Sequence, residues 1–252
     1  MNELKPTITI VIATWNAQKT LQRCLDSIRP HKGNGYIEVL VVDGGSKDST
    51  LEIVKANLDV VDRWISEKDR GIYDAWNKGI GLAQGQWISF IGADDMLEPD
   101  ASKHWRTFLE EQNHGDLDYI CAKNQWVDEN DRPLKIFGSP WNWSQERQTM
   151  KVAHVASLHH RRLFQELGQY DLHFRICGDY EFLLRKKDVL KSGFIDQVIA
   201  RMATGGASYS VKALEEAHQI RKRHSMLSNW RLGWIKTKNR ILFERHKWMN
   251  RQ

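Results

Sequence analysis

Two periods of apolar residues alternate over the first hundred positions. Residues 7–13 (TITIVIA) form a continuous apolar, β-branched run, the pattern of a buried strand. Residues 17–29 place Leu21, Cys24, Leu25 and Ile28 at helical spacing, and Pro30 stops the run. A second strand is predicted at 38–42, ending in Asp43, Gly44, Gly45 and Ser46. Ser46 or Asp48 can cap a helix carrying Leu51, Ile53, Val54 and Leu58. A third strand is expected at 60–65, a helix at 72–83 with Ile72, Ala75, Trp76 and Ile80 inward, and a fourth strand at 86–91. Strands separated by helix-length patterns predict βαβ units, an α/β fold and a mostly parallel sheet. The polar loops 14–16, 43–46 and 92–95 all follow strand ends. In open α/β sheets that edge is where ligands bind.

The second half is less regular. Strands are expected at 119–127 and 133–137 around the turn 128–132, then at 154–160 and 194–200. Short helices are expected at 161–167 and 179–187, with Trp141 and Trp143 in a loop or short helix. Residues 212–248 read as one long helical stretch, broken near Gly233 if at all. Composition adds two exclusions. No run reaches the roughly 18 apolar residues of a membrane span, and the start of the chain lacks the pattern of a signal peptide. Cys24, Cys121 and Cys177 are far apart and outside any CxxC, so they read as thiols of a reducing compartment. The charge is uneven. Residues 212–252 hold eleven Lys/Arg against three Glu, whereas the rest holds 26 against 29 Asp/Glu. Such a basic tail can meet nucleic acid, anionic lipid or an acidic partner.

The strongest local chemistry is Asp94 beside Asp95 at a strand end. A hard divalent ion, Mg²⁺ or Mn²⁺, would relieve their repulsion, binding one or two carboxylates plus substrate phosphate oxygens. The same pair also suits a solvated turn or helix cap. Asp43 can accept from a base N–H or a ribose hydroxyl, or can close an Asx-type turn. Neither a GxGxxG fingerprint nor a Walker A segment is present. A sugar nucleotide with a metal-bound diphosphate fits the paired carboxylates better than a dinucleotide does.

The ordered segments 14–17 (TWNA), 42–50 (VDGGSKDST), 64–79 (WISEKDRGIYDAWNKG), 92–95 (GADD), 178–185 (GDYEFLLR) and 205–208 (GGAS) resemble the inverting family 2 glycosyltransferases. The similarity is to the bacterial O-antigen and exopolysaccharide branch and covers residues 6–210. It implies a GT-A fold, a Rossmann-like nucleotide-binding sheet flanked by helices. It implies a nucleotide-sugar donor (UDP- or dTDP-sugar favoured), Mn²⁺ or Mg²⁺, and a glycan acceptor on a lipid. By resemblance Thr14, Trp15 and Asn16 form the wall of the base pocket, with Trp15 where the family usually has Tyr. Asp43 resembles the pyrimidine-binding aspartate, Asp94 the ribose-side member of the DxD-type motif, and Asp95 the metal ligand. Asp69, Arg70 and Asn77 match the middle segment near the nucleotide. Asp179 resembles the catalytic base that takes the acceptor proton, with Gly178 where Glu is frequent. Its position also suits a helix N-cap. Glu181 is the rival base.

Further candidates lie around the acceptor. On a regular strand His154 and His160 share one face and His159 points opposite. A metal cluster would want a zinc spacing, which is not matched, so they read as core or acceptor-side histidines, and resemblance to the polysaccharide branch implies a place near the acceptor. Arg185 can meet phosphate or pair with Glu181, four residues earlier. In the tail, Trp230, Leu232, Trp234, Ile235, Ile241, Leu242, Phe243 and Trp248 lie among Lys and Arg, the composition of a basic amphipathic helix at a membrane interface. The expected organisation is a glycosyltransferase domain over 1–210, with a nucleotide-sugar half (1–98) and an acceptor half (99–210), then a tail over 211–252. That tail would hold the protein peripherally at the inner face of the bacterial cytoplasmic membrane, with no nucleic-acid partner. The alternatives are a sugar-1-phosphate nucleotidyltransferase, which would want a glycine-rich loop after the first strand, and a non-catalytic lipid- or nucleic-acid-binding protein.

Overall fold

The computed structural model describes residues 6–33, 35–111, 116–204, 206, 208 and 210–249. β1 (Ile8–Thr14), β2 (Ile37–Asp43), β3 (Arg63–Ser66) and β4 (Trp87–Gly92) run parallel in the spatial order β3-β2-β1-β4. β2 is buried along its whole length and β1 at all but one position. Such strands must be covered on both faces, which explains their continuous apolar character. α1 (Leu21–Ile28) and α2 (Thr50–Ala56) pack Leu21, Leu25, Ile28 and Val54 with Ile8, Ile10 and Ile12 on one face. α3 (Ile72–Leu82) packs Tyr73, Trp76 and Ile80 with Val11, Leu40 and Val42 on the other.

Beyond β4 the sheet becomes mixed. β8 (Ala153–His160) is antiparallel to β4, and β6 (Tyr119–Val127) is antiparallel to β8 and parallel to β9 (Ser192–Ala203). β5 (Met96–Leu97) closes the far side of β9, and β7 (Pro133–Phe137) is a hairpin partner of β6. α4 (Ala101–Glu111) buries Trp105 in the first core. The remaining helices are α5 (Trp143–Glu146), α6 (Arg161–Leu167), α7 (Gly178–Leu184), α8 (Val211–His224) and α9 (Asn229–Met249).

Several expectations shift. The helix expected from residue 17 starts at Leu21, and the third strand starts at Arg63, not residue 60. Ile72 is 38% exposed, and Tyr73 takes the inward position instead. The C-terminal stretch breaks at 225–228, where Met226 has φ +56°, and Gly233 lies inside α9. α4 and β5 occupy a segment for which no element was expected. Among the described residues no helix is long and apolar enough to cross a membrane.

Candidate active site

The parallel register brings the polar loops to one edge. Thr14 pairs with Asp43, Asp43 with Ser66, and Ala13 with Gly92, so four strands end at one level. Asp43 is fully buried there. Its Oδ2 accepts from Gly45 N (3.1 Å), Ser46 N (3.0 Å) and Ser66 Oγ (2.6 Å), and its Oδ1 from Thr14 Oγ1 (3.2 Å) and Ser46 Oγ. Burial alone would raise its proton affinity. The donors from Ser46, Ser66 and Gly45 outweigh that and hold the carboxyl below its ordinary value. Gly45 makes the turn possible with φ +83°, a conformation costly for residues bearing a Cβ. Asn16 fastens the same loop, with its N–H on Ser46 Oγ (2.8 Å) and its Oδ1 accepting from Lys47 N (2.8 Å). Trp15 stands out from this edge, 68% exposed.

At the end of β4 the two carboxylates part. Asp94 is exposed and Asp95 is buried. Asp95 Oδ2 accepts from Gly92 N (3.1 Å) and Oδ1 from Ala203 N (3.1 Å). Burial, and then the neighbouring Asp94 charge, push the Asp95 carboxyl up to about 8. Arg23 anchors this loop, donating to the Asp94 carbonyl (3.3 Å) and to both oxygens of Asp131 (2.7 Å). Among the described residues no group of three or more His, Cys, Asp or Glu converges as a metal cage. Two adjacent carboxyl groups whose neighbouring cation, Arg23, is paired with Asp131 fit a hard divalent ion that completes its shell with donor phosphates and water.

Asp179 sits in the first turn of α7 and is partly exposed. The Tyr73 hydroxyl lies 2.9 Å from its Oδ1 and 2.8 Å from the Ile176 carbonyl. Burial, then the Asp179 charge, push the Tyr73 hydroxyl well above its ordinary value, so it stays a donor. Tyr73 thus joins Asp179 to α3, whose approach loop follows β3. The strand carrying the histidines is not regular. Residues 153–158 of β8 span only 120–122 of β6, and Ala156 has φ +60°. Extra residues in one strand re-aim its side chains. His154 and His159 therefore lie together, ring centroids 5.2 Å apart, while His160 meets Trp87. The expected sharing of a face by His154 and His160 is corrected by this bulge. His154 stacks on Trp76 (5.1 Å), and burial lowers its proton affinity against the pull of Asp179. His159 is buried among aromatic rings, and burial, then His154, hold its proton affinity well below the ordinary value.

A family model described as glycosyl transferase family 2 matches residues 9–216. The chain belongs to this family. A Mycobacterium tuberculosis relative, a PGL/p-HBAD biosynthesis glycosyltransferase, is 35% identical over 190 residues, covering 71% of this chain and 69% of its own. S. aureus TarS 1–349 in complex with UDP-GlcNAc superposes with TM-score 0.68 at 16% identity, covering 92% of this chain and 71% of that one. Against the longer TarS chain the coverage is 42%. A Pyrobaculum calidifontis mannosyltransferase with GDP-Man and Mn²⁺ superposes with TM-score 0.64 at 15% identity, covering 93% and 74%. The solved structures share the GT-A fold with this family 2 chain.

Other sequence-derived residues of this family 2 chain hold loops in place. Asn77 is buried, and its amide pairs with both the carbonyl (3.0 Å) and the N–H (2.9 Å) of Tyr170. Through one donor and one acceptor it rivets the loop before α7. Asp69 accepts from Gly71 N (2.9 Å) and packs so closely on Gly44 that a Cβ there would collide with it. Arg70 is exposed beside Asp74 (3.5 Å). Glu181 is buried, bound by Arg185 Nε (2.9 Å) and His224 Nε2 (2.7 Å), so both its oxygens are engaged. Arg185 also donates to the carbonyls of Leu167 and Gln169 (2.9 Å each), and so takes the pairing role. Within the 205–208 segment Gly205 and Ala207 lie outside the described residues. Pattern reading missed Ser66, Tyr73 and Arg23, which contact Asp43, Asp179 and Asp94. Ser66 and Tyr73 stood inside a recognised segment, but only contacts across the fold reveal their partners.

Proposed function

We propose that the chain is an inverting glycosyltransferase that moves a sugar from a UDP- or dTDP-sugar to a lipid-linked glycan in bacterial surface polysaccharide assembly. The observation that carries this reading is the arrangement at one sheet edge. The Asp43 cradle and the Asp94–Asp95 pair follow the ends of β2 and β4, the two strands that flank β1, and Tyr73 ties the partly exposed carboxylate of Asp179 to α3. The UDP-GlcNAc and GDP-Man complexes of the structural neighbours support a nucleotide sugar as donor.

In this reading Trp15 stacks on the base, and Thr14, Asn16 and Asp43 shape its pocket. Asp69 and Arg70 flank the nucleotide, Asp94 meets the ribose and Asp95 ligates Mn²⁺ or Mg²⁺. When bound, the ion stabilises the charge developing on the departing diphosphate. Asp179 accepts the proton of the acceptor hydroxyl as that oxygen bonds to the anomeric carbon. The bond from that carbon to the diphosphate oxygen breaks on the opposite face, and the nucleoside diphosphate leaves with the electron pair. His154 lines the acceptor side. Residues 1–98 serve the donor, 99–210 the acceptor, and 211–252 hold the protein at the inner face of the cytoplasmic membrane.

The test combines binding and turnover. Thermal unfolding is followed with UDP, dTDP or GDP, with and without Mn²⁺, for wild type, Asp95→Ala and Asp179→Asn. A nucleotide at 100 times its Kd stabilises by about 2.7 kcal/mol. A Mn²⁺-dependent shift that Asp95→Ala loses, and that Asp179→Asn keeps while losing transfer, is the expected result. Full transfer by Asp179→Asn would remove the assigned base.

A further inference from the structure

The carboxylate of Glu216 on α8 lies against the loop that delivers Asp179. Its Oε1 accepts from Arg175 N (3.0 Å), and its Oε2 from Ile176 N (2.8 Å) and Cys177 N (3.0 Å). Three consecutive amides thus converge on one side chain from another helix. Charge-assisted bonds of this kind are the stronger class of hydrogen bond, and successive N–H groups facing one anion form a preorganised nest. Cys177, the residue before α7, supplies no side-chain cap of its own.

The peptide between Ile176 and Cys177 is held from both edges. Its carbonyl lies 2.8 Å from the Tyr73 hydroxyl, and its N–H meets Glu216. The same Tyr73 hydroxyl reaches Asp179, two residues further on. α8 is itself fixed to this region. Ile220 packs with Phe174, Tyr180 and Leu184. His224 meets Glu181 (2.7 Å), and Arg223 meets Asp171 (2.9 Å). The helix therefore grips the 171–181 segment at its start, middle and end.

We propose that Glu216 is a positioning residue for glycosyl transfer: it sets the height and rotation of the 175–177 backbone, and through it the reach of Asp179 to the acceptor hydroxyl. The inference rests on Asp179 being the base. A misplacement of about 1 Å at such a group can cost about 100-fold in rate. Glu216 touches no reacting atom, so its loss acts on kcat and leaves the donor pocket on β1 and β2 intact.

The experiment uses the full chain as wild type, Glu216→Ala, Glu216→Gln, Asp179→Asn and the exposed control Glu215→Gln. Nucleoside diphosphate release is read on the UDP-, dTDP- or GDP-sugar that wild type consumes, beside hydrogen–deuterium exchange of the 172–180 segment. Glu216→Ala is expected to lose protection at the 175–177 amides and to lower kcat about 100-fold with donor KM unchanged. Glu216→Gln recovers part of both, because its amide oxygen still accepts, and Glu215→Gln behaves as wild type. Unchanged protection at 175–177 in Glu216→Ala overturns the proposal whatever the turnover. So does a kcat equal to wild type once that protection is lost, or a fall in kcat matched by deprotection of the whole chain. Equal turnover by wild type and Asp179→Asn would instead sink the assignment of the base, with the exchange data still reporting the clamp.

Discussion

Glu146 shows how one side chain can set a pH dependence. It is fully buried; one oxygen accepts from Lys151 N (2.9 Å), and the other has no partner among the described residues. Burial pushes its carboxyl up to about 7, against the pull of the Lys151 and Val152 amides. In the unfolded chain it titrates near 4.5. The folded state therefore holds the proton more tightly, and this stabilisation is fully present below about pH 4.5. It is lost as pH rises through about 7. Urea unfolding at pH 5 and pH 8 should show Glu146→Gln losing most of that slope, with a gain on the order of 2 kcal/mol over wild type at pH 8. An unchanged slope would place the titration elsewhere. Trp15 makes a second prediction at this scale. Stacking of a base on an aromatic ring is worth roughly 1–3 kcal/mol, so Trp15→Ala should weaken nucleotide affinity by about that amount and Trp15→Tyr should restore it. Calorimetric titration with the nucleotide that stabilises wild type reads both.

At the scale of elements, α3 and α7 meet where a glycine permits it. A Cβ on Gly178 would lie 2.9 Å from the Tyr73 ring. That ring cannot retreat, since Trp76 (5.4 Å) and Tyr170 (5.3 Å) pack on it. Any residue with a Cβ at 178 would therefore press on the Tyr73 ring. Gly178→Ala is expected to destabilise by about 1–3 kcal/mol and to lower kcat by shifting the next residue, Asp179. Urea unfolding and turnover check the two together, and a fully active, equally stable variant would show that the ring can yield. The strands β1, β2 and β4 were legible because burial on both faces forces short, strongly apolar runs. The residues Thr14, Asp43 and Asp94 followed because parallel strands put their ends on one edge. The bulge in β8 was not legible. Nothing local marks Ala156 for a left-handed conformation; the register against β6 imposes it, and with it the swap of His159 for His160 beside His154. The engagement of Asn77 with Tyr170 and of Glu216 with 175–177 spans long sequence separations, which periodicity does not encode.

The whole molecule is electrically divided, and its last helix has two apolar sides. Leu232 and Ile235 are buried, whereas Trp230 (74% exposed), Trp234 (58%) and Ile241 (61%) share a stripe on a different face of α9. With apolar residues on two faces the helix is not simply amphipathic. One side packs inward, and the other stays uncovered beside Arg231 and Lys238, whose ammonium lies 5.0 Å from the Trp234 ring. Tryptophan next to cationic side chains suits the headgroup layer of a bilayer, and each basic residue near an anionic surface contributes about 1 kcal/mol. The mildly acidic remainder of the chain would be repelled from the same surface, so in the proposed membrane-bound state the tail would face lipid. Co-sedimentation of the full chain with anionic phosphatidylglycerol vesicles should exceed that with neutral phosphatidylcholine and fall with added salt. The triple change Trp230→Ala, Trp234→Ala, Ile241→Ala should abolish it while leaving nucleotide-dependent thermal stabilisation intact, because these side chains are exposed on α9 and are no part of the β1 and β2 loops around Asp43. Equal vesicle binding by wild type and the triple variant would remove the stripe from the membrane. Lipid-free dimerisation that the same changes abolish would assign it to a second copy of the chain.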